Sequence, residues 1–172
     1  MMRIRTFILF LFLLIIFLFP KKVLAEKNNQ FVTIVNPIRV SSYTKDLRAN
    51  VQSQYSVVAS YNLPATWLLT YDALSNPNVV RTIKSMDQKQ EIGIFLEVTS
   101  GFSSAANVTY NESGSWHHAT SVFLSGYTQE ERIRFIDTVF GKFKKEFGYY
   151  PTSVGSWWTD SFSLSYMEEK YG

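Results

Sequence analysis

A chain of 172 residues with 46% apolar and 16% aromatic side chains has the material for one ordinary domain with a real core, and the composition excludes a disordered protein. Its formal charge of +3 is local: Arg3, Arg5, Lys21 and Lys22 stand in the first 25 residues without an acid, and the remainder carries 13 basic against 14 acidic side chains. The folded part therefore has no charge footprint for nucleic acid, and the absence of cysteine excludes disulfides, thiol nucleophiles and thiolate metal sites.

Residues 1–25 read as a targeting segment, with Arg3 and Arg5 as the basic start, Phe7 to Phe19 as an apolar run, and Val23-Leu-Ala25 as a small-residue cleavage site. A secreted or extracytoplasmic protein is expected. The 13-residue apolar run is shorter than the roughly 20 a spanning helix needs. Lys21 and Lys22, placed before the cut, keep open a retained amino-terminal anchor and hence a membrane tether.

After a polar linker, 26–30, the run Phe31-Val-Thr-Ile-Val35 predicts a first strand, stopped by Asn36-Pro37 because proline cannot donate to a ladder. That puts Asn36 at its carboxyl end and Arg39 just beyond. From about Thr44 to Tyr61, Leu47, Val51, Tyr55, Val58 and Tyr61 fall on one helical face, with Asn62 as the residue that turns the chain out. Ala65 to Leu69 predicts a second buried strand, and Asn76-Pro77 starts a helix to about Met86.

Glu91-Ile-Gly-Ile-Phe-Leu-Glu-Val98 is the stretch around which the rest is organised. Its unbroken apolar run predicts a strand buried on both faces, as in a parallel sheet, and the carboxyl end of such a strand is where α/β folds place ligand chemistry. Thr99 to Gly126 then reads as a long connection, functional or mobile. Thr128-Gln-Glu-Glu131 is a capping box, and Ile133, Ile136, Phe140, Phe143 and Phe147 carry a helix closed by Gly148. A fourth strand is expected over Thr152 to Trp158, and a helix over Phe162 to Lys170, capped by Asp160 or Ser161.

Four strands alternating with helices predict an α/β fold, either a parallel (β/α) barrel present as roughly its first half or a small open sheet. In the barrel reading, residues 31–172 form a domain truncated at its C-terminus. Half a barrel is expected to leave helix faces such as Ile136 and Phe140 short of contacts.

Three blocks carry a family resemblance: Asn62-Leu-Pro-Ala-Thr-Trp67, Gln90-Glu-Ile-Gly93 and Phe147-Gly-Tyr-Tyr-Pro151. In order and spacing the chain resembles, from about Phe31 to Gly172, the first half of the polysaccharide deacetylase (NodB-like) and glycoside hydrolase/deacetylase β/α-barrel superfamily. The resemblance implies a carbohydrate-active domain, an extracellular or cell-surface polysaccharide or oligosaccharide as partner, and a hydrolase if the chain is active. It does not extend to the family's metal site. Asn36-Pro37 stands where that family ends its first strand in paired Asp, Phe95 and Thr99 stand near its histidines, and no arginine falls near Gly155 to Trp158. No metal and no cofactor is therefore implied, and a non-catalytic barrel binding sugar or protein is the alternative function.

Glu97 and Asp160, at the ends of the third and fourth strands, form a candidate catalytic pair, since two carboxylates suffice for glycoside hydrolysis. The plainer alternatives are that Asp160 only caps a helix and that Glu97 pairs with a basic neighbour. Asn36, Arg39, Trp116, His117, His118 and Trp158 are the candidate substrate-binding residues. Arg39 could hold a uronate, the histidine pair could contact substrate from the long connection, and the tryptophans, Trp67 included, offer flat faces for sugar rings.

Overall fold

A computed structural model describes residues 31–41, 43–44, 46–115 and 118–172. The expected targeting segment and linker, and with them Trp116 and His117, lie outside the described residues. The fold is that of the unit Thr33–Gly172.

Four strands form one parallel, curled sheet in the order β1-β2-β3-β4: β1 Val35–Ile38, β2 Thr66–Leu69, β3 Glu91–Leu96 and β4 Val154–Ser156. In a strictly sequential order every crossover steps the same way, so right-handed crossovers lay all the helices on one face. This is the winding of a half-barrel. An open doubly wound sheet would need the order to reverse part-way.

The main helices are α1 Leu47–Ser60, α3 Pro77–Lys84, α6 Gln129–Phe147 and α7 Ser161–Tyr171, and between them lie the short helices α2 Tyr71–Leu74, α4 Ser100–Ala105 and α5 Ala119–Val122. Local chemistry sets their ends. Asp46 caps α1 by accepting from the Ala49 amide, and Asn62, at φ +54, turns the chain left-handed beyond it. The capping box on α6 is closed in both directions, Thr128 amide to Glu131 and Glu131 amide to Thr128, and Gly148 ends that helix at φ +87.

Two expectations are corrected. The first strand does not span Phe31 to Val35 and stop at Asn36-Pro37; it starts at Val35 and runs through that pair to Ile38. The carbonyls of Ile34 and Ile38 accept from Thr66 and Thr70 of the β2 segment, so even-numbered residues turn their polar groups toward β2. Pro37 faces the sheet edge instead, where its missing N–H breaks no ladder bond. The apolar face of α6, expected to lack contacts, is also covered. Ile136 is 0% and Phe140 2% exposed, because α6 packs on β3 and α2 and Tyr171 of α7 stacks on Phe140 at 4.3 Å. Burial of this kind contributes about 1.5–3 kcal/mol per large apolar side chain.

The described residues of the long connection are packed into the fold. Phe102, Val108, Leu124 and Tyr127 are buried in the common core, and Val98 donates its amide to the Val122 carbonyl at 3.0 Å. Tyr127 Oη donates to the Ser121 carbonyl at 2.8 Å, and the Asn111 side chain bridges the carbonyls of Thr120 and Gly126.

Side-chain alternation divides the sheet. Ile38, Trp67, Leu69, Ile94, Leu96 and Val98 belong to the core beneath the helices. Leu68, Gly93, Phe95, Glu97, Gly155 and Trp157 alternate onto the other face. There Leu68 fills the room that two glycines leave: a Cβ on Gly93 would meet it at 2.8 Å and one on Gly155 at 2.5 Å.

Candidate functional site

The residues that follow each strand are Arg39, Thr70, Glu97 and Trp157, and three of the four converge. Register puts Glu97 level with Trp157, because Leu96 pairs with Ser156. Arg39 starts two residues lower, level with Phe95, and its long side chain reaches past β2. Its Nε donates to Glu97 Oε2 at 2.6 Å and its Nη2 to Oε1 at 2.9 Å, a bidentate ion pair between strands that are not neighbours. Trp157 Nε1 donates to Glu97 Oε2 at 2.7 Å.

The same indole lies under the Arg39 guanidinium, 4.9 Å from ring centre to Cζ, and takes Phe95 edge-on at 5.5 Å. Glu97 is buried while Trp157 remains 49% exposed, so the clasp has a closed carboxylate and an accessible aromatic rim. Between them, Thr70 Oγ1 donates to the Ile38 carbonyl and accepts from the Ala73 amide, fixing the end of β2 against β1.

Arg39 and Glu97 line a cavity of about 440 Å³ together with Ser41, Tyr43, Thr99 and Tyr110. Thr99 also caps α4 through the Phe102 amide. Burial pushes the Tyr110 phenol up, and the Glu112 and Glu97 charges push the same way, so it stays a neutral hydrogen-bond donor. The charged walls, Arg39 and Glu97, neutralise each other. The remaining polar groups are hydroxyls.

No family model, no curated protein and no solved structure matches this chain, which leaves the site's own chemistry to speak for it.

Asp160 is not a wall of this cavity. It caps α7 by accepting from the Ser163 amide at 2.9 Å, takes the Ser163 hydroxyl at 2.8 Å, and pairs with Arg132 Nη1 at 3.0 Å. Burial raises its pKa, but the Ser163 hydrogen bonds and the Arg132 charge outweigh that and hold the carboxyl below its ordinary range. A carboxyl so held does not donate a proton at neutral pH. Both plainer alternatives for the carboxylate pair, a cap for Asp160 and a basic partner for Glu97, are what the geometry contains.

The other expected site residues are scattered. Asn36 lies inside β1 rather than at its end, and by alternation it shares the helix side with Ile38; its Nδ2 is buried without a hydrogen-bond partner among the described residues. His118 is exposed at the start of α5 and makes no side-chain cap. Neither Trp158, 63% exposed, nor Trp157 is a cavity wall; of the two, Trp157 is the one that contacts Glu97 and Arg39. Trp67 offers no platform, being fully buried with Nε1 donating to Gln90 Oε1 at 3.0 Å. Among the described residues no three His, Asp or Glu gather as a ligand set for a metal ion.

Of the adjacent tryptophans sequence reasoning chose Trp158 over Trp157, and it did not single out Tyr110, Tyr43 or Ser41. A signal for Trp157 was present. With β4 ended at Ser156 instead of Trp158, the residue leaving the strand is Trp157, by the same rule that picks Glu97.

Proposed function

We propose that this chain is an extracytoplasmic saccharide-binding domain of the deacetylase-like β/α-barrel class, non-catalytic, holding an uncharged sugar in the cavity between β1 and β3. One observation carries the reading: the two charged side chains that line this cavity, Arg39 and Glu97, are spent on each other, beside an exposed indole. Sugar rings are recognised by an aromatic face below and hydroxyl or carbonyl partners around the edge. Tyr43 and Tyr110 are the aromatic residues that line the cavity, Tyr110, Ser41 and Thr99 give it neutral donors and acceptors, and Trp157 stands behind the wall, holding Glu97 and Arg39 in place. Glu97 contributes an acceptor: Oε2 takes two donors and Oε1 one, which leaves a lone pair on Oε1 for a sugar hydroxyl.

The same facts weigh against catalysis. A retaining or inverting glycosidase needs one carboxyl able to give a proton. Glu97 is wrapped by a guanidinium and Asp160 by its cap. An anionic sugar is also disfavoured, because the Arg39 fork is already filled by Glu97.

Titration of the full chain with chitin- and cellulose-derived oligosaccharides, followed by tryptophan fluorescence, tests the proposal. Saturable binding without release of acetate or reducing ends is expected, and Tyr110→Phe, which removes a hydroxyl from the cavity wall, should weaken it about threefold or more. Turnover that disappears in Glu97→Gln would restore the enzymatic reading, and failure of every oligosaccharide to bind would remove the saccharide reading.

A further inference from the structure

On the far side of Arg39 lies a second hollow, of about 220 Å³, between the carboxyl end of β1 and the first turns of α1. Arg39 and Ser41 line both it and the Glu97 cavity, so the two adjoin across one shared wall. That wall is fixed, since the Arg39 guanidinium is held by both oxygens of Glu97.

The polar groups of the second hollow suit sugar hydroxyls. Asn50 and Gln54 stand one helical turn apart on the exposed side of α1, each with a carbonyl acceptor and an amide donor. Neither carboxamide has a side-chain partner among the described residues. Thr44 adds a hydroxyl already oriented by Ser41 Oγ at 3.0 Å. Apart from Arg39, no charged side chain lines this hollow among the described residues.

We propose that the hollow beside α1 is a second saccharide subsite, continuous across Arg39 with the Glu97 cavity, so that the ligand is a chain of at least two sugar rings. The proposal rests on the saccharide reading above. One ring occupies the cavity beside Glu97 and Tyr110; its neighbour crosses Arg39 and meets the Asn50 and Gln54 carboxamides. Affinity then grows with chain length up to the rings that the two spaces hold.

The full chain is titrated calorimetrically with N-acetylglucosamine and with chitin-derived oligomers from the disaccharide to the pentasaccharide, and in parallel with glucose and the cellulose-derived series. In the better series the oligomers should bind about tenfold or more tightly than the monosaccharide. The double variant Asn50→Ala/Gln54→Ala should lose that gain and keep the monosaccharide affinity. Both positions are exposed on a helix that alanine favours, so the variant folds, and a thermal melt checks it.

The second subsite is overturned if oligomers bind no tighter than the monosaccharide, or if the gain survives in the double variant. In either case Tyr110→Phe still weakens binding if the saccharide reading itself holds. If neither series binds the unaltered protein, both the subsite and that reading fall together.

Discussion

Replacing Glu97 by alanine should destabilise the chain well beyond the loss of a few methylenes. The carboxylate takes two hydrogen bonds from Arg39 and one from Trp157, and its side chain keeps 8% exposure against 24% for that of Arg39. Removing one member of a buried pair leaves the other charge in the protein without its neutralising partner, at a cost of about 3–5 kcal/mol when burial is complete. Arg39 still reaches water, which lowers the expectation to about 2–3 kcal/mol. For a domain of this size that is a fall of roughly 4–12 °C in melting temperature.

Urea unfolding of Glu97→Ala, Arg39→Met and the double variant measures the coupling directly. The double variant removes the charge that the first substitution strands, so the two should be non-additive by about 1–3 kcal/mol. A single-variant cost below about 0.5 kcal/mol, or strict additivity, would refute the idea that the clasp is a coupled unit.

Asp160→Asn keeps the capping oxygen of α7 but not the charge. Because the folded carboxyl lies below its ordinary range, its contribution is present above the unfolded value of about 3.9 and is lost as pH falls through the folded value. The variant should be weaker by about 0.5–1.5 kcal/mol at neutral pH, with the gap closing in acid; a constant gap would point to the cap rather than the charge. Gly93→Ala should cost about 1–3 kcal/mol, since its Cβ would sit 2.2 Å from the Ser153 carbonyl oxygen. Gly141→Ala, in α6 with nothing within 4 Å, should add about 0.5–1 kcal/mol. Urea midpoints moving the same way in these two variants would contradict the packing described for Gly93.

Much of this architecture is written in local pattern. The heptapeptide after Glu91 announces a buried parallel strand, Asn76-Pro77 and Thr128 to Glu131 announce helix starts, and Asn62 and Gly148 announce helix ends, all where the structure has them. Glu97 and Arg39 stand out by their places after strands. What sequence could not supply is their pairing, because a contact spanning 58 residues depends on curl and register. Pro37 misleads for a related reason: whether a proline breaks a ladder depends on which side of the strand its nitrogen faces. The short helices within the long connection are hidden because their caps and buried residues, Thr99 and Phe102 among them, gain their meaning from the core they meet.

The clasp also ties together parts of the chain that are made at different times. Its two contacts join residues 58 and 60 positions apart, so neither can form from local encounters, and each must offset the entropy of closing a long loop. During synthesis Arg39 emerges well before Glu97, and Glu97 well before the indole that completes the set. The carboxylate therefore waits in a half-finished sheet until β4 docks. Trp157 thus offers a kinetic probe of its own: its indole meets Glu97 and Arg39 only once the fourth strand is in place.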